Sequence, residues 1–163
     1  MKAPLKRRLW LATPAFLFFF AAFDYKTPKD FKTLENFKSV EAFEASYAEY
    51  VQDCFDNTGG GTGGIRCTQL EYELWDREMN IYYKRLLAKV SDPTALKESQ
   101  RLWIQMRDKT IEVNSALLDR RYQEQGTMYA LMRAGDAARI ITPLVKQRAL
   151  MLRDMVVLLN EAP

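Results

Sequence analysis

Two carboxylates on one segment, Glu71 and Asp76, and an adjacent Arg107-Asp108 pair on another are the residues of this chain best suited to chemistry. Asp76 and Asn80 share one side of a helix, as do Gln100, Trp103 and Arg107, which recur at steps of three and four. Carboxylates facing each other across a cleft could act as general acid and base, the arrangement that hydrolyses glycosidic bonds. The same side chains can instead lock helix register. Arg107 would then pair with Asp76 or Glu71, with Asn80 and Gln100 completing a polar network. The structural role is the expectation, because these residues alternate with Trp75, Tyr82, Tyr83 and Trp103. Those rings read as core with one polar partner each, not as a platform for stacking sugars. The chain has no histidine, which excludes Ser-His and Cys-His nucleophilic schemes. No catalytic residue, cofactor or metal ligand is assigned.

The run Gly59-Gly60-Gly61-Thr62-Gly63-Gly64 invites comparison with a phosphate-binding loop. Such a loop needs Lys and then Ser or Thr directly after its last glycine, whereas Ile65 and Arg66 follow here. Each glycine costs about 1 kcal/mol relative to alanine inside a helix, so the run predicts a flexible turn. Its exposed backbone amides make it a candidate partner-binding loop. Cys54 and Cys67 bracket it. The spacing is not CxxC and no histidine is present, which argues against a shared metal. An oxidising compartment favours a disulfide over two free thiols.

That compartment is implied by the first segment. Lys2, Lys6, Arg7 and Arg8 precede an apolar run from Leu9 to Phe23, interrupted by Pro14. The run has the length of a signal-peptide core and falls short of the about 20 residues of a spanning helix. Cleavage near Ala21 or Ala22 would leave a periplasmic or secreted protein. Phe19 and Phe20 disfavour that cut, so an uncleaved anchor stays open, and with it membrane contact. The whole chain nets +3, from 24 basic and 21 acidic residues. Residues 1–22 hold four of the cations and no anion, so the remainder nets −1. The basic character belongs to the leader and gives no footing for nucleic-acid binding.

The elements that must position these residues are helical throughout. Thr27 and Pro28 open a small helical unit with Phe31, Leu34 and Phe37 at helical spacing. Ser39 caps a helix whose apolar side is Phe43, Tyr47, Tyr50, Val51 and Cys54. A third segment, Thr68 to Val90, carries Tyr72, Trp75, Met79, Tyr82, Leu86 and Val90 on one face. Asp92 and Pro93 stop it and start a fourth, with Leu96, Trp103, Met106, Ile111, Leu118 and Tyr122. The short link predicts an antiparallel hairpin. Gly126 breaks the pattern before a last region containing Ile141, Val145, Leu152 and Val156, where Pro143 predicts a kink or a fresh start near Thr142. The fold class is thus all-α, a small helical bundle built around that hairpin with one disulfide. Residues 1–22 form the leader, 23–45 an N-terminal extension and 46–163 the domain.

Reading forward from the two cysteines, Asp76, Met79-Asn80 and Tyr83 are followed by Leu96, Gln100, Trp103 and Arg107-Asp108. This order resembles the LprI-type lysozyme-inhibitor family, with its D-x-x-L-N-x-x-Y and L-x-x-x-Q-x-x-W-x-x-x-R-D strings. The match spans Tyr50 to Asp108, with weaker traces at Gly126-Thr127-Met128 and near Arg148. Met79 replaces the usual leucine, a swap of similar volume. Many members carry a second cysteine pair where this chain has Ile111 and Asp136. The resemblance implies an exported protein that binds and inhibits a lysozyme in the bacterial envelope, without being an enzyme. An envelope adaptor, a chaperone-like factor or a toxin-immunity protein with a different partner is the alternative.

Overall fold

The computed structural model describes residues 24–59 and 61–161; the leader, its cleavage and Gly60 lie outside them. Two 3-10 turns, Pro28–Asp30 and Leu34–Asn36, lead into four helices. These are α1 (Val40–Thr58), α2 (Gly61–Lys89), α3 (Thr94–Arg121) and α4 (Thr127–Glu161). No strand occurs among the described residues. The all-α bundle read from the sequence is what the chain forms.

Local chemistry sets most boundaries. The Ser39 hydroxyl accepts the Ala42 N–H at 3.2 Å and caps α1. Asp92 Oδ1 accepts the Thr94 N–H at 2.9 Å and starts α3. Gly126, with φ of 135°, separates α3 from α4. The glycine run, by contrast, does not form the flexible turn that helix propensity predicts. Gly59 ends α1 in the left-handed region (φ 63°), and α2 starts at Gly61, so Gly63 and Gly64 are helical. Close packing is the reason. A Cβ on Gly64 would sit 2.9 Å from the Leu131 side chain, and one on Gly63 would sit 2.7 Å from Thr58. Glycine lets α4 and the end of α1 approach, and that burial offsets the propensity cost.

The arrangement of partners also differs from a simple hairpin. α2 packs most extensively on α4, and the two run parallel. Gly64 meets Leu131, Lys146 lies over the Trp75 ring, and Lys89 donates to Asn160. α1 lies antiparallel to α2, with the Cys54–Cys67 disulfide at one end and Phe43 against Trp75, centroids 5.2 Å apart, further along. α3 lies antiparallel to α4 through Gln100 with Arg148 and Ser115 with Arg133. It is antiparallel to α2 as well, as the hairpin reading holds, but meets it through side chains such as Gln100 and Met79. α4 continues through Pro143 with no new start near Thr142, and Ile141, Val145, Ala149 and Leu152 are buried on both sides of the proline. On α3 the buried residues are Gln100, Asn114 and Leu118; Met106 and Ile111, counted among its apolar residues, face solvent.

The core joins Leu34, Phe43, Tyr47, Trp75 and Met79 with Val145, Ala149 and Leu152. Within it sits a charge. Glu78 is fully buried and accepts the Leu34 N–H at 3.1 Å and Arg77 Nη2 at 2.6 Å. The Arg77 guanidinium also donates to the carbonyls of Pro28, Phe31 (2.7 Å) and Lys32 (2.9 Å). Residues 28–34 are thereby tied across α2.

Two stability outcomes follow from these ties. Reducing the disulfide, which closes a separation of 13 residues, is expected to cost about 3 kcal/mol in urea unfolding. Glu78→Ala leaves Arg77 partly buried without its carboxylate and should cost ~3–5 kcal/mol. Limited proteolysis of the variant should cut first within residues 24–39, and uncut wild-type-like behaviour would show the clamp to be dispensable.

Candidate functional site

The polar residues singled out above fall into three separate places. The innermost is a chain from α4 to α3. Arg148 Nε donates to Gln100 Oε1 at 3.0 Å, Arg148 Nη2 donates to Ser99 Oγ at 3.0 Å, and Gln100 Nε2 contacts Met79 Sδ at 3.7 Å. Gln100 therefore does complete a buried cross-helix link, but its partner is Arg148 and not a member of α2's acidic set.

The second place is the groove between α2 and α3. Asn80 Nδ2 donates to the Asp76 carboxylate at 3.0 Å and to its carbonyl at 2.8 Å, a pairing within one helix. Arg107 pairs with neighbouring Asp108 at 2.7 Å and lies 5.5 Å from the Trp103 ring centroid. The direct Arg107–Asp76 or Arg107–Glu71 ion pair expected from spacing is not formed. The two charges still feel each other: desolvation raises the Asp76 carboxyl above its ordinary value, and Arg107 and Asn80 oppose that shift. Trp103 is half-buried against the core edge, which keeps the Arg107 stem along its face.

Glu71 belongs to neither. It opens on a hollow of about 500 Å³ between α1, α2 and α4, together with Glu44, Arg139, Thr142, Pro143 and Lys146. Lys146 pairs with Glu44 at 2.5 Å and stands 5.4 Å from the Trp75 ring centroid. Desolvation, then the nearby Glu44, raise the Glu71 carboxyl, with Lys146 opposing. Among the described residues the buried Tyr47 hydroxyl, Trp75 Nε1 and Thr142 Oγ1 make no well-formed hydrogen bond. Thr142 lines the hollow, and burial with the charges of Glu71 and Glu44 raises the Tyr47 phenol. Among the described residues no group of His, Cys, Asp and Glu is placed to hold a metal ion.

Several of these partners were missed in the sequence. Glu78 follows Leu70 and Leu74 at steps of four and precedes Tyr82 by four, so a charge in the middle of an apolar row was the available signal. Arg148 likewise sits between Val145 and Leu152 on the apolar side of α4. No comparable signal marks Lys146 or Glu44.

The outer surface carries one more feature. Leu102, Met106, Val113 and Leu117 recur on one side of α3 at steps of four and seven, and each is 45–63 % exposed. A Lys109–Glu112 ion pair of 2.8 Å interrupts them. Apolar side chains aligned in this way on a polar-rimmed helix mark a surface suited to a protein partner. The glycine segment fits that description less well. Thr58, Tyr25 and Leu131 stand over Gly63 and Gly64, and Gly59 lies in the open.

A family model described as lysozyme inhibitor LprI matches residues 54–149, more than half of the chain. The matched stretch begins at the first cysteine and takes in α2, α3 and α4 through Ala149. No curated protein and no solved structure matches the chain.

The hollow yields a pH signature. A carboxyl whose folded pKa lies above its unfolded value binds protons more tightly when folded, so stability falls as pH rises through that window. Glu71→Gln removes this loss. The variant should melt higher than wild type at pH 7, by less than about 1 kcal/mol because the site is open to solvent, and the difference should vanish at acidic pH. Equal melting at pH 7 would show Glu71 to be well solvated.

Proposed function

The chain belongs to the LprI lysozyme-inhibitor family, and we propose that it is exported, binds a peptidoglycan-cleaving lysozyme in the bacterial envelope and blocks it by occlusion. The family match over residues 54–149 carries this reading. A disulfide-bonded bundle is a rigid surface in an oxidising compartment, which suits a binder that must hold one shape outside the cytoplasm. Among the described residues no helix is long and apolar enough to cross a membrane.

The surface that docks is, on this reading, the apolar side of α3. Leu102, Met106, Val113 and Leu117 lie within the matched stretch and need no rearrangement to be reached. Apolar contacts ringed by polar side chains are what protein interfaces use at their centres. Gln100, bonded to Arg148, and Trp103, packed on the core edge, hold α3 against its neighbours and so present that side, while Asp76 with Asn80 and Arg107 with Asp108 pair within their own helices. They are positioning residues and perform no chemistry. With a net charge near −1 outside the leader, long-range steering of a cationic enzyme contributes little, and short-range fit carries the affinity.

Purified protein added to lysozymes of several classes should lower cell-wall turnover with a dose response that saturates near equimolar. Leu117→Glu, placed on an exposed position, should keep the melting temperature and weaken inhibition at least tenfold. No inhibition at excess would reject the lysozyme reading. Full inhibition by Leu117→Glu would move the docking surface away from α3.

A further inference from the structure

At the end of the bundle where α2 finishes and α3 begins, a second hollow of about 440 Å³ opens between α2, α3 and α4. Its walls are apolar: Leu86, Val90 and Leu96 on one side, Met155, Leu158 and Leu159 on the other. Its floor holds Arg148, which is only 4 % exposed. The guanidinium has five N–H donors and remains protonated in any protein setting. Nε and Nη2 are used on Gln100 and Ser99, and Nη1 reaches only the weak acceptor Met151 Sδ at 3.6 Å. All three partners are neutral. Desolvation depresses this group, and the only opposing influence is Tyr83. A buried cation is ordinarily matched by an anion, because solvent no longer compensates it.

The mouth of the hollow supplies the other half of the chemistry. Met155, Leu158 and Leu159 are 40, 68 and 42 % exposed, so apolar surface continues from the floor to the rim. A soluble anion would satisfy Arg148 but leave those walls wet. A neutral apolar ligand would cover the walls and leave the cation unmatched. We propose that this hollow is a binding site for a fatty carboxylate, its head on the free donors of Arg148 and its chain along Leu86, Leu96, Met155 and Leu158. The site is independent of the lysozyme reading, since it lies at the bundle end and not along the exposed side of α3. A chain that inhibited no lysozyme would still be expected to bind.

Titration calorimetry on the purified full chain tests it, with dodecanoate and dodecanol as probes below their aggregation limits. Dodecanoate should bind at one site per chain, and dodecanol at least tenfold more weakly. Arg148→Met should abolish that preference; it removes the charge but also the bonds to Gln100 and Ser99, so its melting temperature is measured alongside. Should Arg148→Met fail to fold, Leu158→Glu, at an exposed position, still tests the site: it should weaken dodecanoate at least tenfold without lowering the melting temperature. Absence of saturable dodecanoate binding, equal affinity for dodecanol, or unchanged binding by Leu158→Glu would each overturn the proposal.

Discussion

The parallel pairing of α2 with α4 is the constraint from which the rest of this bundle follows. Two parallel helices in one chain cannot be joined by a short turn, so a third must run the full length of the bundle between them. α3 does this in 28 residues, matching the 29 of α2. It takes an outer place and buries mostly polar side chains, Gln100 and Asn114, against its neighbours. The core is left to α2, α4 and the flanking α1, where Phe43, Trp75 and Val145 are wholly buried. An outer helix held by a few specific hydrogen bonds keeps its remaining sides free. That is why apolar residues can line α3 without joining the core.

A second consequence concerns the segment before α1. Residues 24–39 contain only two short turns and bury little beyond Leu34. Their placement depends on carbonyls gripped by Arg77 and an amide held by Glu78. Glu78 can lie fully buried because Arg77 and Leu34 satisfy it, and Arg77 can reach because Glu78 fixes its guanidinium. Neither half is tolerable alone, which makes this clamp sensitive to single substitutions in a way the apolar core is not. The same segment also sets Phe31 against Tyr50 and Phe37 against Phe43 and pairs Glu35 with Arg85 at 2.5 Å, so the clamp acts together with ring contacts along its length.

How much of this was legible in the sequence depended on whether the governing interaction was local. Ser39 as a cap, Gly126 as a break and the row Trp75-Met79-Tyr82-Leu86 are local signals, and each has its expected role. The glycine run misled because propensity counts the cost of each glycine and not the contact it permits; Leu131, far along the chain, decides that Gly64 is helical. Arg107 misled because side-chain spacing on two helices fixes which faces meet but not which acid is nearest, and adjacent Asp108 wins. Met106 and Ile111 misled because α3 turns a narrower and more polar side inward than its apolar content suggests. At the two positions that the resemblance singles out, Ile111 is 39 % exposed. Asp136 instead accepts the Tyr122 hydroxyl at 2.7 Å, a polar tie between the end of α3 and α4.

The distribution of carboxylates bears on whether the family's action is by binding or by chemistry. Acid–base hydrolysis needs two carboxyl groups converging on one bond. Glu71 and Asp76 are five residues apart on one helix, which turns their side chains roughly 140° from each other. Glu71 accordingly faces the hollow beside α1 and α4, whereas Asp76 faces α3 and its Arg107. Asp108 points to solvent beside its own arginine. Bringing Glu71 and Asp76 onto one substrate would require α2 to rotate against the core that Trp75 anchors. In that hollow Glu71 has Glu44 beside it, but Lys146 pairs with Glu44 at 2.5 Å and also draws on Glu71, so the two carboxyl groups there share one cation.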